Sequence, residues 1–138
     1  MEKELSNLEN LAKELFPFAY SLIPDELMAG QLIIDAILRM VIETEDIDSI
    51  TFEITKKKKY CRNILKLAIE RGSHAMYIEK NDFFYKELSI EHRAVIFLAD
   101  KWNWNMESIH NITGLKREEL HLKLQEARGL MAAEESLL

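Results

Sequence analysis

Apolar residues return every three or four positions along nearly the whole chain, and this period constrains the fold more than any other feature. Leu5, Leu8, Leu11, Ala12 and Leu15 set the spacing, and Phe18, Ala19 and Leu22 continue it. Such spacing lines one face of an α-helix, whereas a half-buried strand alternates. Only 4 Gly and 2 Pro interrupt 138 residues, too few for the many tight turns of an all-β fold. The expected fold class is therefore all-α. No window reaches 18 consecutive apolar residues, so no membrane span is expected. The single cysteine, Cys61, excludes an intramolecular disulfide. Together with an N-terminus that lacks a basic start and an apolar run, this leads to an expected cytoplasmic location.

Punctuation divides the pattern. Pro17 is expected to kink or restart the first helix, since it has no N–H and its ring crowds the preceding turn. Pro24-Asp25 breaks the chain before a second helix, whose Leu27, Leu32, Ile33, Ala36, Ile37, Met40 and Val41 form a wide apolar face. Residues 43–49 are acidic and read as loop, as does the weakly alternating stretch 51–55, because a lone strand has no partner. A third helix is expected from about Lys56 to Arg71, ended by Gly72. Residues 73–82 read as a polar linker. The expected organisation is a helical module over 1–72, the linker, and a second module over 83–138.

Charge is unevenly spread within the net −6. Residues 1–55 hold twelve acids and three bases, whereas 56–72 hold Lys56, Lys57, Lys58, Lys59, Arg62, Lys66 and Arg71 against Glu70 alone. A basic block inside an acidic chain is a candidate polyanion contact or a solvated helix face. The first reading predicts that Lys56, Lys57, Lys58, Lys59, Arg62 and Lys66 face solvent.

The C-terminal stretch 105–128 is the most informative. Asn105 can cap a short helix carrying Met106, Ile109 and Ile112, Gly114 can take the positive φ of a tight turn, and a longer helix runs on from Lys116. Short helix, glycine turn and longer helix make the helix-turn-helix arrangement, whose second helix can enter a major groove. Trp102 and Trp104 bracket its start and read as hydrophobic anchors.

These residues carry a family resemblance. Leu88-Ser89-Ile90-Glu91-His92-Arg93-Ala94-Val95-Ile96-Phe97-Leu98 resembles the opening of region 4 of bacterial RNA polymerase sigma factors, and Glu107, Ile109, Ile112, Gly114, Leu120, Leu124, Ala127 and Arg128 continue the register without a gap. Residues 18–22 and 29–39 resemble region 2 of the small extracytoplasmic-function class, and Tyr60-Cys61-Arg62-Asn63 its promoter-contacting segment. The resemblance implies core RNA polymerase and promoter DNA as partners, with an anti-sigma factor as a further one. It places Gln31, Asp35 and Arg39 at the polymerase. It places Lys56, Lys57, Lys58, Lys59, Arg62, Asn63, Lys66, Lys116, Arg117, Glu119, His121 and Lys123 at DNA.

The departures from the family pattern are chemical. Gln31 stands where the family carries an acid, and Ile34 where it carries Gln. Lys56-Lys57 replaces a Trp-Leu pair in the melting segment. Glu119, His121, Leu122, Lys123 and Glu126 replace a more basic recognition set, and residues 116–131 are net only +1. Phosphate neutralisation supplies much of DNA binding, so this helix is blunted, although a carboxylate can accept from a cytosine amino group. Lys123 lies between Glu119 and Glu126 on one face and can pair with either. Two readings follow: a transcription initiation protein, or a sigma-like protein that binds a regulator without reading DNA.

Catalysis is not expected. His74, His92, His110 and His121 lack ligand spacing and a partner cysteine, so neither a metal nor another cofactor is implied. No Gly-rich phosphate loop or activated Ser or Cys nucleophile is present, and Cys61 reads as packing.

Overall fold

The computed structural model describes residues 2–44, 54–72 and 88–137. Among them are six α-helices: α1 (Glu2–Leu22), α2 (Glu26–Thr44), α3 (Ile54–Gly72), α4 (Ile90–Ile96), α5 (Met106–Thr113) and α6 (Arg117–Leu137). A π-helical turn, Phe97–Lys101, continues α4. No strand occurs among the described residues, so the protein is all-α, and no described helix is long and apolar enough to cross a membrane.

Several boundaries differ from expectation for local reasons. α1 runs through Pro17 and does not restart. Leu11 and Leu15 before the proline and Phe18, Ala19 and Leu22 after it are all buried, and this packing keeps the chain helical across the missing hydrogen bond. α2 begins where the Asp25 side chain accepts from the Met28 N–H at 2.9 Å. It extends to Thr44, beyond the expected loop start at 43, and α3 begins two residues before Lys56. Leu27, expected in the apolar face of α2, points to solvent. The expected linker 73–82 lies outside the described residues.

The buried side chains form one cluster. Leu15, Phe18, Leu32, Tyr60 and Ile64 from the first segment and Leu88, Val95, Leu98, Ile109 and Leu120 from the second all belong to it. α3 packs on both α4 and α5, and α1 packs on α4. The segments expected as two modules thus share a core. An aromatic group marks the seam. Phe18 of α1 lies 5.7 Å from both Phe97 and Trp102, and Trp102 lies 5.4 Å from Trp104. The tryptophans anchor the start of α5, as expected, and Trp102 also joins the two segments.

The polar links across the seam are reciprocal. Arg93 of α4, 4% exposed, donates from Nη1 to the Leu22 carbonyl at 2.7 Å. Arg62 of α3 donates from Nε to the Asn111 carbonyl at 3.0 Å. The last four carbonyls of a helix have no partner within it, and that end carries partial negative charge. Each segment therefore supplies an arginine that satisfies a helix C-terminus in the other.

The C-terminal helical pair is built as its local sequence requires. Asn105 Oδ1 accepts from the Ser108 N–H at 2.8 Å. Gly114 has φ 74° and donates to the His110 carbonyl at 2.8 Å. His110 Nδ1–H bridges the turn to the Leu115 carbonyl at 2.6 Å. A Cβ at Gly114 would meet nothing within 4 Å, so only its backbone conformation resists substitution. Gly114→Ala should cost about 1–2 kcal/mol in a denaturant titration, the penalty of a left-handed non-glycine residue. A neutral result would show that the turn does not need this conformation.

Candidate interaction faces

Three surfaces contain the residues singled out in the sequence. The first is α3. Lys59, Arg62 and Lys66 are exposed, whereas Lys56, Lys58 and Asn63 are half-buried. Lys57 departs most from the expected solvent-facing block: its Nζ lies 3.4 Å from Glu14 Oε2 and 4.2 Å from the Trp102 ring centroid. A long side chain carrying four methylenes gains by lying on an aromatic face while its ammonium pairs at the edge. Arg62 is likewise committed, to the Asn111 carbonyl. The basic block thus divides between exposed lysines, Lys59 and Lys66, and cations at the seam, Lys57 and Arg62.

Cys61, between these cations, is fully buried, and burial pushes its thiol up to about 12 despite the opposing influence of Lys57. Burial also raises Tyr60 above its usual range. Only the thiolate is nucleophilic, so at pH 8 Cys61 should react with a disulfide reagent roughly a thousandfold more slowly in the native than in the unfolded chain. Rapid native labelling would show that the α3 side of the core opens readily.

The second surface is α6. Lys116, Arg117, Glu119, His121 and Leu122 are exposed, and Lys123 is half-buried. Leu120, Leu124 and Ala127 face the core. The expected pairing of Lys123 with its helix neighbours is not what forms. Glu126 Oε1 instead lies 3.6 Å from His92 Nε2, because α4 packs directly beside α6. Arg128, also exposed, is likewise paired across to its neighbour: its guanidinium binds both oxygens of Asp100, at 3.3 and 2.6 Å, and this hydrogen bonding holds it more firmly protonated than usual.

The third surface is α2. Ala29, Leu32, Ile33, Ala36 and Met40 are buried, yet Leu27, Ile34, Leu38 and Ile42 are 86%, 53%, 52% and 74% exposed. At 100° per residue these four project within an arc of about 80°. Gln31 falls within this arc, and Asp35 and Arg39 run along one side of it. Gln31 donates from Nε2 to Asp35 Oδ1 at 3.0 Å, and Asp35 Oδ2 pairs with Arg71 of α3 at 2.5 Å. Arg39 is exposed. Of the three residues placed at the polymerase, Asp35 therefore also serves to tie α2 to α3.

Sequence reasoning missed the buried Arg93 and the outward stripe of α2. An arginine inside the helical stretch 90–96 reads as surface unless a helix end elsewhere needs its donors. Ile34, Leu38 and Ile42 were legible as an i, i+4, i+8 row, but a broad apolar helix masks which row lies outside. Among the described residues, no group of three His, Cys, Asp or Glu could hold a metal ion. No family model, curated protein or solved structure matches the chain.

Proposed function

We propose that this chain is a sigma-factor-like transcription initiation protein that docks on core RNA polymerase through the outer face of α2, without catalytic activity or a cofactor of its own. The exposed row Leu27, Ile34, Leu38 and Ile42 carries the reading. Four large aliphatic side chains aligned in water have a free-energy cost that a partner removes, and such patches mark protein contacts. The row lies on the helix whose sequence resembles the family's polymerase-binding helix, with Gln31 inside it and Asp35 and Arg39 along one side. Promoter contacts on this reading come from Lys59, Lys66, Lys116 and Arg117, with Glu119, His121 and Lys123 on the reading face.

A second reading is favoured by the shared core. Elements centred at −10 and −35 lie roughly 85 Å apart along B-form DNA, at about 3.4 Å per base pair. A chain of this length packed on one core is only about 40 Å across. Contact with both elements at once therefore requires the two segments to part, releasing Lys57 and Arg62 from the seam. A protein that keeps the closed form would act instead as a regulator-binding mimic.

Capture of core polymerase by the full chain, followed by run-off transcription on fragmented genomic DNA, separates the readings. Capture with promoter-specific transcripts supports initiation. Capture without transcripts supports polymerase docking without promoter reading, and absence of capture overturns the polymerase assignment in favour of the regulator-binding mimic.

A further inference from the structure

A cleft of about 360 Å³ opens where α1, α4 with its π-helical turn, and α6 meet. We propose that it binds a small amphipathic organic anion: an aryl or medium-chain alkyl body carrying a carboxylate or sulfonate. This site is separate from the α2 face and does not depend on the polymerase reading.

The walls define the body of the ligand. Pro17, Tyr20, Ile96, Phe97 and Met131 line the cleft, contributed by three different helices. The volume falls within the range of about 300–1,000 Å³ typical of small-molecule sites, where apolar walls carry a few polar groups. Pro17 has no N–H to offer, and the Ser21 hydroxyl donates to the Phe18 carbonyl at 2.6 Å. An ordered water needs two to four polar partners, so such walls suit an apolar occupant better than water. Met131 adds an unbranched, adaptable side chain.

The rim defines the head group. Asp100 is taken by Arg128. Lys101, at the end of the π-helical turn, is exposed and makes no ion pair among the described residues. Arg93 lines the inner wall, with Nη1 committed to the Leu22 carbonyl. Among the described residues the charge left at the opening is that of Lys101, and it is positive. The π-helical turn itself, closed by the Trp102 N–H to the Phe97 carbonyl at 3.2 Å, brings Phe97 and Lys101 to the same opening. Single π turns inside helices occur disproportionately at functional sites.

Fluorescence titration of the full chain with 1-anilinonaphthalene-8-sulfonate and with the uncharged N-phenyl-1-naphthylamine tests this. The expected result is one saturable sulfonate site per chain, displaced by dodecanoate, in a protein with native near-ultraviolet circular dichroism. Lys101→Glu should weaken the sulfonate at least tenfold and leave the uncharged compound within twofold. Met131→Trp should fill the cleft and abolish both. Lys101 is exposed, so its variant decides the matter whether or not Met131→Trp folds. Absence of a saturable site, or equal binding of the sulfonate to Lys101→Glu, overturns the proposal.

Discussion

Phe18→Ala should lower the unfolding free energy by about 3–5 kcal/mol, the usual cost of deleting a fully buried aromatic side chain. For a chain of 138 residues this corresponds to a melting temperature lower by roughly 10–15 °C. The loss exceeds that of an ordinary core truncation because Phe18 packs on Phe97 and Trp102 across the seam. Trp102 and Trp104 both lie in the second segment, whereas Phe18 lies in the first. Tryptophan fluorescence and far-ultraviolet circular dichroism should therefore shift to the same lower midpoint. A fluorescence midpoint that stays in place while the dichroism midpoint falls would mean that the two segments unfold separately.

The second large effect concerns binding. Ile34→Glu with Leu38→Glu should reduce capture of core polymerase at least thirtyfold, equivalent to about 2 kcal/mol, the scale of a binding hot spot. Both side chains are more than half exposed, so folding stability should change by no more than about 0.5 kcal/mol per site. The combination of lost capture and retained stability distinguishes a docking face from a misread core face. Unchanged capture would remove α2 from the interaction.

Helix type and the capping residues were legible because each rests on local chemistry. Asn105 caps, Gly114 takes a positive φ, and the apolar period of 3.6 places Ile109, Ile112 and Leu120 inward, all from information within a few residues. The seam was not legible in this way. Arg62 and Arg93 reach carbonyls 49 and 71 positions away in sequence, and nothing near them signals the helix ends they satisfy. Lys57 shows the same limit from the opposite side. Its place in a run of four lysines suggests solvent, yet Glu14 and Trp102 draw it against the core. Packing on both sides of Pro17 carries the helix through it without a restart. The sequence shows the charges of α6, but their pairing is set by His92 of the neighbouring α4 and Asp100 of its π-helical turn.

The stripe on α2 shows how burial resolves an ambiguity that periodicity leaves. Leu32, Ile33 and Ala36 face inward while Ile34 and Leu38, one to two positions away, face out. Composition makes both rows equally eligible for a core. Only the positions of α1 and α3 decide between them.

Site-specific photocrosslinking tests the α2 assignment most directly. A photoreactive phenylalanine derivative placed at Leu38 of the full chain should form an adduct with a core polymerase subunit. The same group at Lys13, exposed on α1, should form none. Absence of an adduct from position 38 under conditions of polymerase excess, or equal adducts from both positions, would contradict the account.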